Sequence, residues 1–482
     1  MSTVSPKDST ADSHYDVIII GAGLSGLSSA VRLGMFGLKV LLLEKHYIVG
    51  GLNSFYAKGG RKFDVGLHAL TNFPSPSSGK SSPLFKLCRQ LRIPLDSLAL
   101  QEQTSSRITF GTTDLRFTNN FDFFISEIER VFPHEQERFH RLLSKMENFP
   151  AYSVDAEELS TRNILAEELN DPLLVEMLLC PTCYYGSARE NDIDFPTFVM
   201  LFDAIFKQGL ARPEKGIRAL LDPLTSKLKE LGVERKMNTP VKAVHAEEDR
   251  ITNIELENGE YLTATHYIST CGGLETETLL QPPPQTKNFE IGRFSIIESI
   301  SVFEGHPQDL GWDETVIFFN KTDSFSYKEP KGLVDTDSGV ICIPDNYGAS
   351  DHPEKKESKL RVTHPANYSL WSTLDEKAYE NEKRLWENKI LENGLSYLPS
   401  GQDNLDLFKS KTRLTDTFTP RTVKKFTNHE NGALYGSPTK KRDGSSAFRN
   451  LFIAGTDQGY VGIVGAMLGG IAVANNQILR NI

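Results

Sequence analysis

Gly21, Gly23 and Gly26 stand at G-x-G-x-x-G spacing, and an acid, Glu44, ends the next apolar run. In that order the residue types read as a nucleotide cradle. A glycine at 21 permits a tight turn, one at 23 lets backbone approach a pyrophosphate, and one at 26 lets a helix lie close on a strand. The phosphates would sit on the N-terminus of a helix beginning near Leu24 and Ser25, where free N–H groups and the helix dipole favour an anion. A carboxylate at 44 accepts hydrogen bonds from ribose hydroxyls and repels a 2′-phosphate. The glycine pattern alone also fits a packing motif with no ligand. Strand, glycines, helix, strand and terminal acid in one unit specify an adenine dinucleotide.

The second chemical feature is FDVGLHAL, residues 63–70. Asp64 reads as a group that hydrogen-bonds backbone in a turn. His68 is a candidate to give or take a proton beside a bound molecule. The alternative is a histidine that only packs and hydrogen-bonds there.

Two buried strands must hold the cradle: the continuous apolar runs Val17 to Ile20 and Val40 to Leu43 suit a parallel sheet covered on both faces. Farther on, Gly50 and Gly51 follow Glu44 and Lys45, with Leu52 and Asn53 after them. This order resembles the FAD-dependent oxidoreductases that include amine oxidases and carotenoid desaturases, which carry a second glycine pair against the diphosphate. Leu52 and Asn53 stand where that family often has arginine and a small residue. The resemblance assigns Glu44, Lys45, Gly50, Gly51 and Leu52 to FAD. No second G-x-G-x-x-G unit appears, so a separate nicotinamide domain is not expected.

Later segments resemble the carotenoid (phytoene) desaturase, retinol saturase and carotenoid isomerase branch. Pro213, Gly216, Ile217, Leu220 and Leu224 fit its helix-leading stretch, with Lys215 in place of the first glycine of a pair. Thr239-Pro240-Val241 fits its T-P-V strand, which puts the Val241 backbone at the adenine. Thr419, Pro420, Gly432, Tyr435 and Gly436 match a further stretch. Residues 450–476 read as a strand, a turn at Gly455 and Asp457, and a helix from Gly462. By resemblance Asp457 contacts the ribityl or pyrophosphate region. The helix start at Gly462, Ile463 and Val464 faces the isoalloxazine, where a helix dipole stabilises the charge gained on reduction. Leu67-His68, in place of Pro-Thr after F-D-x-G, resembles the retinol saturase and isomerase side of the branch.

The implied fold is α/β: a Rossmann-type, glutathione-reductase-like FAD-binding domain assembled from separated segments, with an α+β substrate domain. The first domain is expected at 15–75, 215–285 and 411–482, the second at 76–214 and 286–410. Helices are expected at 121–148, 155–180, 216–231 and 375–397, and strands at 267–270, 294–303, 315–320, 338–344 and 366–372. The polar lead 1–14 is expected to be disordered.

Composition narrows the function. The 482 residues carry a net charge of −10, which argues against a broad nucleic-acid footprint. Five cysteines, an odd number in a long chain, do not make a disulfide framework. Cys180-Pro-Thr-Cys183 tempts a redox or metal reading, yet no second pair completes a metal site, and buried structural thiols are expected. Phe195, Phe198, Val199, Phe202, Ile205 and Phe206 share one helical face. Core packing is the expectation, and a substrate tunnel or a membrane-resting face is the alternative. No signal peptide or clean apolar span is present, so a cytoplasmic protein is expected, with peripheral membrane contact and oligomeric state left open.

The reading is an FAD-dependent oxidoreductase that works on carbon–carbon bonds of a long apolar isoprenoid, carotenoid-like or retinoid-like molecule, by hydride transfer with flavin N5. His68 is its catalytic candidate. Desaturation, saturation and isomerisation all fit. A flavin amine oxidase would instead need paired aromatic side chains around an amine, and the C-terminal segment offers Tyr460 without an obvious partner. A non-catalytic flavin-binding protein is the third class.

Overall fold

The apolar runs on either side of the glycine turn form adjacent parallel strands, His14–Ile20 and Val40–Leu43, with Val17 opposite Val40 and Ile20 opposite Leu43. The structure, a computed structural model, describes residues 14–74, 79–348, 356–401 and 403–482. Of the expected disordered lead, 1–13 lie outside the described residues, and His14 opens the first strand. Tyr261–Ser269 pairs parallel on the other side of that strand, and Leu451–Ile453 pairs parallel beyond it. Glu234–Lys236 extends the opposite edge, and an antiparallel meander, Val241–Glu247 and Arg250–Leu256, with the short parallel strand Leu280–Gln281 beyond it, completes the sheet. All of these strands fall within 15–75, 215–285 and 411–482 but for His14.

Helix Leu24–Gly34 covers this sheet and packs on the C-terminal helix Gly462–Val473. Ser28 and Ser29 hydroxyls each donate across the contact, to Met467 and Gly470 carbonyls at 3.0 Å. A methyl group on Gly470 would collide with the Ser25 carbonyl. The run Gly462–Asn481 is long and apolar enough to cross a membrane, and half of it is buried inside this protein.

A second sheet has the order Thr412–Phe418, Ser295–Glu304, Glu357–Ala366, Ser338–Cys342, Val316–Asn320, Ser106–Phe110, Thr113–Phe117. Thr412–Phe418 pairs with Ser295–Glu304 and so joins this sheet, although the sequence placed it past the boundary at 411. The strand expected at 366–372 is a strand end followed by helix Tyr368–Ser372. The Asn367 side chain accepts from the Leu370 N–H at 2.9 Å and starts that helix. The expected helix 121–148 is two, Phe121–Val131 and Gln136–Asn148, broken at Pro133. In place of 155–180 stand Thr161–Glu168 and Pro172–Gly186, the latter capped by Asp171.

The aromatic stripe belongs to the core. Phe195, Phe198, Phe202, Ile205 and Phe206 are buried, and Phe206 stacks on Phe124 with ring centroids 4.4 Å apart. Val199 is only partly buried. Cys180 and Cys183 are buried in helix Pro172–Gly186, and burial pushes both thiols well above their ordinary range, away from thiolate chemistry.

Candidate active site

Between the two sheets lies a cavity of about 750 Å³. One end is a glycine-lined trough. Gly21 has φ +101°, a conformation that favours glycine and turns the chain out of the first strand. Gly23 bridges to Gly50, whose N–H donates to the Ala22 carbonyl at 2.8 Å, so the second glycine pair closes directly over the first turn. A methyl group built on Gly23 or Gly462 meets no protein atom within 4 Å, and both residues line the cavity. At Gly26 the same methyl group would collide with the Gly21 carbonyl. Gly26 therefore serves helix–strand packing and does not line the cavity.

Glu44 also lines the trough. Its carboxylate accepts from the Ala22 N–H at 2.7 Å and from the His46 N–H at 2.9 Å, which fixes the acid at the strand end. Each carboxylate oxygen keeps a lone-pair site for a ribose hydroxyl. Leu24, Ser25, Lys45, Gly51, Leu52, Val241, Gly455 and Ile463 share the same wall. Burial lowers the Lys45 pKa, with Glu44 opposing the shift.

Two sequence assignments fail geometrically. Asp457 does not line the cavity. Its carboxylate is buried and accepts from the Gly273 N–H at 2.7 Å and the Ser437 N–H at 2.8 Å, with the Lys440 ammonium at 3.3 Å. It ties three segments together. Val464 points into the core beside the first helix, one residue past the cavity wall.

FDVGLHAL forms the other end. The Asp64 carboxylate accepts from the Arg212 guanidinium at 2.5 Å and from the Ile217 N–H at 3.2 Å. A methyl group on Gly216 would strike that carboxylate, so the glycine retained after Lys215 makes room for it. Arg361 donates to Leu67 O at 2.9 Å and Val65 O at 2.5 Å, and forms a buried ion pair with Glu298. His68 lines the cavity with Nε2 3.5 Å from Glu298 Oε2 and 3.5 Å from Thr363 Oγ1. Burial, reinforced by Arg361, lowers the His68 pKa, so the ring is neutral at physiological pH. Burial works to raise the Glu298 pKa, but Arg361 and then His68 outweigh it and hold the carboxyl at about 2.

Arg212, Glu298, Thr363 and Arg361 were missed from sequence. A weak signal was available for two of them: Glu298 is the one charge in FSIIESISVF, and Arg361 stands between Leu360 and Val362. Tyr184, Tyr185, Phe318 and Tyr435 add an aromatic wall. Tyr435 stands on the same cavity as Tyr460, so that tyrosine does not face the cavity alone. Among the described residues no cluster of His, Cys, Asp or Glu can hold a metal ion.

A glycine-lined trough, an acid fixed at a strand end and a cavity between two sheets define a dinucleotide-binding fold. Residues 24–360 match the family model described as flavin containing amine oxidoreductase, and the chain belongs to that family. A chloroplastic prolycopene isomerase of Daucus carota is 23% identical over 470 residues, covering 88% of this chain and 72% of that protein. The 4,4′-diaponeurosporene oxygenase of Staphylococcus aureus is 23% identical over 487 residues, covering 91% and 93%. Among solved structures, an oxidoreductase from Methanosarcina mazei aligns with a TM-score of 0.63 at 18% identity, over 95% of this chain and 100% of that one. Cyclohexylamine oxidase from Brevibacterium oxydans aligns with a TM-score of 0.60 at 12% identity, over 97% and 99%. The protein is an FAD-dependent oxidoreductase. The open space above Gly23 and Gly462 and the fixed Glu44 carboxylate fit that cofactor.

Proposed function

We propose that the enzyme acts on carbon–carbon bonds of a long apolar isoprenoid of carotenoid or retinoid type, by desaturation, saturation or isomerisation. One observation carries this reading. Beyond the nucleotide trough the cavity wall is apolar and aromatic (Tyr184, Tyr185, Ile296, Phe318, Val340, Leu434), and two of the carboxylates facing it, Glu298 and Asp416, are already matched. Glu298 is paired with Arg361, and Asp416 with Lys58 at 2.6 Å and the Tyr56 hydroxyl at 2.7 Å. Neither Glu298 nor Asp416 is free to receive an ammonium group, whereas a hydrocarbon chain requires none. The names of the curated relatives, a prolycopene isomerase and a diaponeurosporene oxygenase, support the same class.

The chain's residues divide the work. Glu44 and the glycine turns hold the dinucleotide, the aromatic wall excludes water and orients the polyene, and His68 handles a proton at the far end. Bound FAD supplies two-electron hydride chemistry. The Tyr435 and Tyr460 pair on one cavity supports a second reading, an amine oxidase.

Anaerobic mixing of FAD-loaded enzyme with a cis-polyene such as prolycopene in detergent, and separately with putrescine and cyclohexylamine, separates the two. The expected result is polyene conversion or a flavin absorbance change, with both amines inert. Rapid bleaching by an amine with the polyene unchanged overturns the proposal.

A further inference from the structure

Among the described residues, Glu298 is the cavity-lining carboxylate that faces the histidine of FDVGLHAL, from a strand that is buried along nearly its whole length. Its other oxygen is committed to Arg361, which is itself anchored on the Leu67 and Val65 carbonyls next to the histidine. The carboxylate is therefore held in place by the same loop that carries His68. A carboxylate offers lone pairs and no proton, so the approach at 3.5 Å is attractive only if the imidazole proton sits on Nε2. The Thr363 hydroxyl, at the same distance, rotates to accept or donate and does not oppose this. Nδ1 has no protein partner among the described residues, and the ring borders the cavity.

We propose that Glu298 is a positioning residue that fixes His68 as the Nε2–H tautomer, so that Nδ1 faces the bound molecule as a proton acceptor. This deepens the role given to His68 above and rests on it. The step is a proton transfer: a C–H bond of the bound molecule breaks, an N–H bond forms at Nδ1, and the electron pair stays with the molecule. The imidazolium so formed is stabilised by the carboxylate beside it, and the distance shortens as the charge develops. A neutral histidine poised as acceptor suits removal of hydrogen from the substrate better than delivery of a proton to it.

Other charges face the pair from every side. Arg361 lies on Glu357–Ala366, Arg212 on Leu210–Pro213 and Asp64 on Arg61–Asp64, while the Cys342 thiol on Ser338–Cys342 is kept neutral by burial. Tyr56, paired with Asp416, is within electrostatic reach of Arg361 and Glu298. Asp64 with Arg212 and Glu298 with Arg361 make two matched pairs, so the cluster is neutral with the histidine uncharged.

Ring-¹⁵N-histidine spectra of the FAD-loaded protein test this without any substrate. The His68 signal is identified by its loss in His68→Gln. The expected result is an Nε2–H over Nδ1–H preference of about tenfold or more at neutral pH, the bias that one hydrogen bond to a charged group supplies. Glu298→Gln should erase the preference and Glu298→Asp should restore part of it. Should Glu298→Gln fail to fold because Arg361 is left unpaired, Glu298→Gln/Arg361→Met removes both charges and should likewise erase the bias. An Nδ1–H tautomer in the wild type, or an unchanged ratio in a folded Glu298 variant, overturns the proposal. Inert polyenes beside the expected tautomer would instead overturn the reaction assigned above and leave the pairing intact.

Discussion

The carbonyl of Leu67 accepts from two arginines at once, Arg212 at 2.5 Å and Arg361 at 2.9 Å. The two reach it from different sheets, Arg212 on the short strand Leu210–Pro213 and Arg361 on Glu357–Ala366. A loop beside a ligand cavity is thereby held by a pair of guanidiniums whose charges are cancelled by Asp64 and Glu298. Position of the His68 ring follows from this clamp, since its own carbonyl also accepts from Arg212 at 3.1 Å.

Arg361→Met should be costly. It leaves the Glu298 carboxylate buried without its partner, and breaking a buried pair on one side destabilises by about 3–5 kcal/mol. Removing both charges in Glu298→Gln/Arg361→Met should recover most of that loss. Urea unfolding of the wild type, the two single variants and the double variant closes the cycle. A double variant as unstable as the sum of the singles would show that the two side chains do not act as a pair.

Gly23→Ala and Gly26→Ala should fail in different ways. The methyl group at 23 enters open cavity space, so stability of the apoprotein should hold while FAD affinity falls. The methyl group at 26 meets the Gly21 carbonyl, so the apoprotein itself should lose stability, by about 1–3 kcal/mol for an overpacked contact. Melting without FAD and flavin fluorescence titration separate the two effects. Equal apoprotein melting for both variants would contradict the assignment.

The residues that the sequence offers as a nucleotide cradle gather at one end of the cavity because their determinants are local. Glycines, helix start and the acid at 44 lie within a short span, and each residue type has few alternative uses. Asp457 was misplaced because a resemblance locates a segment but not the direction of a side chain one residue off the turn. Arg212, Glu298 and Arg361 went unassigned for another reason: three charges on strands distant in sequence meet only after two sheets have folded. Tyr435 and Tyr460 are likewise brought to one cavity by tertiary structure.

Phe198→Ala tests the division between core and cavity. Phe198 is fully buried among aromatic rings and does not border the cavity. Truncation should cost about 3–5 kcal/mol of stability and leave FAD affinity and polyene turnover of the folded fraction within about twofold, less than a 1.4 kcal/mol change would produce. Loss of polyene binding at unchanged stability would return this stripe to the substrate path.

Acid sensitivity should be traceable to His364, which is fully buried on strand Glu357–Ala366. Its Nδ1 lies 2.8 Å from the Ser338 carbonyl, and a carbonyl only accepts, so the proton is on Nδ1. Nε2 is buried with no partner among the described residues, and a second proton there would place a charge in the core that the nearby Ser338, Ile390 and Asp335 carbonyls offset only in part. Burial accordingly lowers this pKa from 6.5 to about 4. With the folded value below the unfolded one, the unfolded chain binds the proton first, so stability is full above pH 6.5 and declines as pH falls toward about 4. Across that window the single group removes on the order of 3 kcal/mol. Glu298 contributes lower down, between its ordinary 4.5 and about 2, and so does not mask the effect. His68 is shifted in the same direction as His364, so the comparison that isolates the latter is wild type against His364→Gln. Urea unfolding at pH values stepped downward from 6.5 should show a shallower decline in the variant, whatever its stability at neutral pH. Parallel pH profiles for the two proteins would remove His364 as the acid-sensitive group.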